Sequence, residues 1–201
     1  MAYGFDGDGT SIAAATLSGN NNFTGVQTFA GSADSSSVST GTVVVNGGVG
    51  VQGKVWASQV WGSYWNDLVD CIEVPSTTEL EFGYAYCFDG HHYYKASKYL
   101  DDGFIGIHSD TAGFYMGKKK YLKQMQVAVA GFVLAHVDKV YPVGTPLTVT
   151  EGGFLTEILP EDLALYPHKI VGTFWKEEKN DKWGPEGKEI SVNGRHWIKI
   201  S

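Results

Sequence analysis

The chain has 201 residues, 43% of them hydrophobic, and a formal charge of −7 from 22 acidic and 15 basic side chains. That length fits one ordinary domain plus an arm, or two small domains, with enough apolar residues for a real core. The acidic balance argues against nucleic acid as the main partner, since a phosphate-binding surface normally needs a clustered basic face; Arg195 is the single arginine, and no run approaches the ~18 apolar residues of a membrane span.

Composition shifts sharply along the chain. Residues 1–39 are built mainly of Gly, Ser, Thr, Asn and Ala. Alone, such a segment buries too little apolar surface to offset its ordering entropy. We therefore expect an extended mounting arm that acquires order against neighbouring subunits, with Phe5, Leu17, Phe23 and Phe29 as inter-subunit anchors. Asn22-Phe23-Thr24-Gly25 and Thr28-Phe29-Ala30-Gly31 read as two short extended pieces ending in turns. Met1 to Gly9 carries Asp6 and Asp8 and has neither a basic nor an apolar region, so no export signal is expected. Cys71 and Cys87 are expected to be reduced and to pack as small hydrophobes.

Residues 40–70 form the hinge between the two compositions. Val43 and Val45 share one face of an extended strand, Asn46-Gly47 is a hairpin turn, and Val49, Val51, Val55 and Ala57 line the next strand at period two. This predicts a short β shaft. The G-x-G-x-x-G pattern of Gly48 to Gly53, with Asp67 and Asp70 further on, lacks the buried strand before it and the helix after it that a dinucleotide site needs. From Ala57 the spacing changes: Trp61, Trp65 and Val69, and Val60, Tyr64 and Leu68, recur every four residues. That spacing predicts a short helix, with Trp61, Trp65 and Leu68 at a seam between chains.

Residues 71–201 read as a compact β domain. Tyr84, Tyr86 and Phe88 alternate before the Asp89-Gly90 turn, and the following strand carries His92 and Tyr94 on one face, His91 and Tyr93 on the other. Phe104 to Ile107 is a buried strand. Met125 to Val137 is a long one, in which Gly131 marks a bulge or a close backbone approach. Pro160 to Tyr166 fits one helical turn, and Ile170 to Trp175 another strand. Ile190 to Val192 and His196 to Ile200 flank Asn193-Gly194 as a second hairpin. Turns at this spacing with few helices imply a barrel or sandwich.

Four short motifs carry a resemblance. Asn46-Gly47-Gly48-Val49-Gly50-Val51 looks like the shaft-to-head joins of tailed-phage fibres. Trp65-Asn66-Asp67-Leu68-Val69-Asp70 resembles the W-N-D-Y-A-E opening of a C-terminal domain found on many such fibres. Tyr94-Lys95-Ala96-Ser97 and Ile105 to Phe114 resemble its Y-x-K-A-S and V-G-V-x-S-D-x-x-G pieces. The chain thus resembles the intramolecular-chaperone, or G2-type autoproteolytic, family of fibres and appendages, with Leu68-Val69-Asp70 standing where the family has Y-A-E. The resemblance implies self-cleavage near Asn66 and Asp67, with Ser63 as a nearby nucleophile.

Other chemistry is sparse. His108-Ser109-Asp110 are consecutive, and neighbours point apart, so a hydrogen-bonded turn is expected in place of a catalytic relay. His91 and His92 face opposite ways; His136 and Asp138 share a face but are too few for a closed metal site. Lys118 to Lys120 with Lys123 is a charge run. We expect no catalytic residue, no metal and no cofactor.

The expected fold is mainly β: an arm (1–39), a β shaft with a short helix (40–70) and a C-terminal β barrel or sandwich (71–201) with one or two short helices. The expected function is a homotrimeric structural protein of a tailed-phage virion, a head fibre or capsid decoration protein mounted by its arm on other virion proteins. Rivals are a short tail fibre or receptor-binding tip and a self-cleaving chaperone. A host surface glycan would be a further partner if Tyr93, Tyr99, Tyr115, Trp175 and Trp183 clustered in a groove.

Overall fold

The computed structural model describes residues 26, 28–37, 39–60, 66–117 and 123–200. The chain divides into two units, Met1–Ser58 and Gln59–Ser201.

In the first unit no described residue lies in a helix or a strand. Its order is local and made by hydroxyls. Thr40 Oγ1 accepts the backbone N–H of Ser36 (2.8 Å) and of Ser37 (2.9 Å), and Ser35 Oγ donates to the Thr40 carbonyl (2.9 Å). Short hydroxyl side chains tie turns of this kind onto their own backbone. The strand–turn–strand expected over Thr40 to Ala57 is therefore corrected: it does not form within one chain. Two Gly-interrupted strands have no third strand or packed face to stabilise them, and a Cβ added at Gly47, Gly48, Gly50 or Gly53 would meet nothing. Val43, Val44, Val45, Val49, Val51, Val55 and Trp56 are all exposed, Trp56 completely. Of the predicted anchors, Phe29 is 67% exposed; Phe5, Leu17, Phe23, Trp61 and Trp65 lie outside the described residues.

The second unit is mainly β, a curled, largely antiparallel half-barrel with few short helices. Its strands are β1 (Asp67–Glu73), β2 (Ala85–Phe88), β3 (Tyr93–Lys95), β4 (Phe104–His108), β5 (Ala112–Met116), β6 (Gln124–Ala135), β7 (Pro146–Val149), β8 (Leu155–Glu157), β9 (Gly172–Lys176), β10 (Lys182–Trp183), β11 (Ile190–Ser191) and β12 (His196–Ile200). The sheet runs β3-β2-β4-β6-β12-β9-β7-β8, with β1 paired to β6 and, in parallel, to β5.

The long strand β6 organises this unit, and its sequence explains why. Met125 and Val127 are buried at period two; Val133, Leu134 and Ala135 are buried in succession. An unbroken apolar run is what a strand covered on both faces requires. Between the two parts, Leu68 pairs with Ala130 and Val69 with Ala128, leaving Val129 as the extra residue of a bulge, 40% exposed. Gly131 follows with φ of 102°, and a Cβ there would run into the Asn66 carbonyl, which accepts the Phe132 N–H at 2.7 Å. The close approach expected at Gly131 is thus present.

One core lies inside the curl, around Ile107, Val133, Leu147, Leu155, Phe174 and Ile198, all at most 1% exposed. Each such side chain contributes roughly 1.5–3 kcal/mol by leaving water. A second cluster joins Tyr86, Met125 and Val127; a third joins Leu134, Val192 and Trp197. The single α-helix among the described residues, α1 (Pro160–Leu165), opens on a proline with Glu161 and Asp162 in its first turn. That arrangement suits the N–H groups unpaired there.

Three expectations are corrected. Residues 67–70 of the predicted helix are strand β1: Val69 is wholly buried where β1 pairs with β5 and β6, and Leu68 is half-buried opposite Phe114 and Ala130. His91 and His92 sit in the β2–β3 turn and not in a strand, because Asp89 Oδ1 accepts both their N–H groups, at 2.8 and 2.7 Å. Asn193-Gly194 is a turn with positive φ at both residues, yet it closes no hairpin. β11 pairs with β10, while β12 pairs with β6 and β9. Cys71 and Cys87 are free thiols, and only Cys87 is fully buried.

Candidate functional site

The most structured polar cluster is built around Arg195, just after the Asn193-Gly194 turn. Its guanidinium is 2% exposed and grips Asp110 with both arms, Nη1 to Oδ1 at 2.6 Å and Nη2 to Oδ2 at 3.0 Å. Nη2 also donates to the Ser191 carbonyl at 2.6 Å and Nε to that of Val192 at 2.9 Å. A planar fork of donors suits one carboxylate and two carbonyls at once, and a lysine could not reproduce it. Gly83 makes room for the stem: φ is 82°, and a Cβ there would overlap Arg195 Cδ. The fork thus ties the loop between β4 and β5 to the turn before β12.

His108 enters this loop from the end of β4. It is 3% exposed, stacked on Phe82 at 4.4 Å, with Nδ1 3.2 Å from the Gln126 carbonyl. A carbonyl accepts, so Nδ1 carries the proton. Burial pushes the His108 pKa below the ordinary imidazole value, against the Gln126 bond and the Asp110 charge, which raise it. Ser109 Oγ lies 3.0 Å from Thr111 Oγ1 and accepts the Thr111 N–H at 3.0 Å. His108, Ser109 and Asp110 therefore face three different partners, and the trio is a hydrogen-bonded turn.

Thr111 leads to the residues that resemblance marked. Its hydroxyl donates to Asp67 Oδ1 at 2.8 Å, placing the first residue of β1 beside Ser109 and Thr111. Asp67 is 4% exposed. Burial raises its pKa, the Asp110 charge adds to that, and the Ser109 and Thr111 hydroxyls oppose it. Among the described residues, neither Asp67 Oδ2 nor Asn66 Nδ2 has a hydrogen-bond partner. Ser63 lies outside the described residues, so the three are not placed together.

Beside Arg195 opens a cleft of about 680 Å³, lined by Leu80, Glu81, Phe82, Tyr84, Asp110, His136, Ile190, Ser191, Asn193 and Arg195. His136 stacks on Tyr84 at 4.2 Å. Its pKa is pushed down to about 4, first by burial and then by the Arg195 and Lys95 cations. Lys95 Nζ sits 3.7 Å over the Tyr84 ring and bonds Glu81 Oε1 at 2.7 Å.

His136 and Asp138 do not converge on a metal. Asp138 accepts from Tyr141 Oη at 2.7 Å and from Thr156 Oγ1 at 2.9 Å. Among the described residues, no group of three His, Cys, Asp or Glu could hold an ion. The five aromatic residues of the groove hypothesis are spread over separate elements. Tyr93 stacks on Phe88, Tyr99 bonds Asp162 near α1, Tyr115 stands on β5, Trp175 packs on Phe132 and Trp183 on Trp197. Lys118 to Lys120 lie outside the described residues, and Lys123 donates to the Ser76 carbonyl at 3.3 Å.

Sequence reasoning assigned Arg195 no role. A single arginine just past an Asn-Gly turn was the available signal, but its partner lies 85 positions away. Comparison with models of known families, with curated proteins and with solved structures finds no match.

Proposed function

We propose that the chain is a homotrimeric structural protein of a tailed-phage virion, a head fibre or capsid decoration protein mounted through its N-terminal unit. One observation carries this reading. Seven large apolar side chains between Val43 and Trp56 are exposed in a stretch that makes no strand of its own. Contiguous exposed apolar surface of this kind marks an interface. Copies of the same segment, each with its Val rows at period two, would bury one another as a shaft. The resemblance to fibre joins at Asn46 to Val51 supports the same picture. The β unit is the head, and its role is mechanical. In the full chain, replacing Val45, Val51 and Val55 by Asp should convert a trimer to single chains, read by mass in solution, while the β unit keeps its melting transition. A trimer that survives the triple substitution contradicts the reading.

A second reading, self-cleavage between Asn66 and Asp67, draws support from the buried Asp67 carboxyl beside that bond and from the Phe132 N–H on the Asn66 carbonyl. Such an N–H could stabilise charge on that oxygen. The intact mass of purified protein tests it: two fragments support cleavage, and a single 21.8 kDa chain opposes it.

A further inference from the structure

The cleft beside Arg195 is not used by the mounting function, and its chemistry is specific. Its volume, about 680 Å³, falls in the range of small-ligand sites. The formal charges at its walls are matched within the protein: Arg195 with Asp110 at 2.6 Å, and Lys95 with Glu81 at 2.7 Å. Among the lining residues no cation is left over for a phosphate or a sulfate.

Four backbone groups beside Arg195 are committed as well. The Gly83 N–H donates to the His108 carbonyl (2.7 Å) and the Gly83 carbonyl accepts from His136 (2.9 Å). The Ser191 and Val192 carbonyls are held by Arg195. Those four groups are therefore closed to an extended peptide adding itself by main-chain hydrogen bonds.

What remains is a flat apolar ring beside planar polar edges. Phe82 is 46% exposed although one face stacks on His108. Around it stand the Glu81 and Asp110 carboxylates, which have lone pairs beyond those used by Lys95 and Arg195, and the Asn193 carboxamide, which both donates and accepts. A pyranose ring has the complementary surface: a C–H face for the aromatic ring and a rim of hydroxyls that donate and accept. We infer that this cleft binds a neutral saccharide, with Phe82 as the stacking platform and Glu81, Asp110 and Asn193 as hydroxyl partners. This site is built from residues of the β unit alone and does not depend on the virion reading.

The test uses the full chain and an array of uncharged hexose oligosaccharides, with sulfated and sialylated ones alongside, followed by titration of any binder. Neutral sugars should bind at millimolar or tighter concentrations, with little change as salt rises. Phe82→Ala and Asn193→Gly, the latter keeping the positive φ of the turn, should each weaken binding about tenfold or more. Phe82→Leu retains bulk without a ring and should behave like Phe82→Ala with an unchanged melting temperature. The inference is overturned if no neutral saccharide binds, if only charged ones bind and salt removes them, or if the folded Phe82→Leu and Asn193→Gly variants bind as the parent does.

Discussion

Arg195 shows what a single side chain does here. Two hydrogen bonds from one guanidinium join the turn before β12 to Asp110 in the loop after β4, and two more fasten that turn to its own carbonyls. Removing it leaves Asp110 without its counter-charge and two carbonyls without donors. Arg195→Met should therefore cost about 3–5 kcal/mol in chemical denaturation. Arg195→Lys should recover only a minor part, because three donors on one nitrogen cannot reach four acceptor atoms set around a planar fork. Equal stability of the lysine variant and the parent would contradict this account. The histidines make a pH prediction. The folded-state pKa of His136 lies at about 4, below the ordinary 6.5, because burial, Arg195 and Lys95 disfavour the charged ring. Its contribution is thus complete above pH 6.5 and is lost as pH falls through about 4. Asp67 runs the other way: its raised pKa gives stability at low pH that is lost as pH rises through the raised value. In denaturation measured from pH 7 to 4, His136→Phe should lose less stability than the parent. A parallel pair of curves would remove His136 from the acid response.

Among the elements, β6 sets the shape of the sheet, and Gly131 is its pivot. The residue has a positive φ and lies against the Asn66 carbonyl, so Gly131→Ala combines backbone strain with a collision against main chain that cannot rotate away. The expected loss is roughly 2–4 kcal/mol by thermal or urea unfolding, and a change under about 0.5 kcal/mol would contradict the close approach. This pivot was legible in sequence, because glycine inside a long apolar strand has few other reasons to be there. So were β2, β4, β6, β9 and β12, whose residues alternate or run apolar over strand lengths. The Asn193-Gly194 turn was legible as a turn but not as a connection. Turn chemistry is local, whereas the partners of β12 lie in β6 and β9, contributed by distant residues. β1 was misread as helix for a related reason. Its acidic residues Asp67, Asp70 and Glu73 recur every third position and break strand alternation, so Leu68 and Val69 fitted a four-residue spacing equally well. The Arg195 site was the least legible, since nothing near Asp110 in sequence announces a partner 85 residues on.

At the scale of the molecule, two units with different sources of order share one chain. The β unit holds itself together by buried residues such as Ile107, Leu147, Phe174 and Ile198. The described part of the N-terminal unit has hydroxyl-tied turns and exposed valines, and under the proposed function contact with other chains supplies its order. Full-length protein should therefore associate while the β unit alone, Gln59–Ser201, remains a folded monomer, and dilution should separate the chains without unfolding that unit. The measurement that bears most directly on this account is the mass of the full chain in solution at micromolar concentration. The account predicts three times the 21.8 kDa of one chain. A single-chain mass, with Val43 to Trp56 ordered and shielded from solvent, would contradict it.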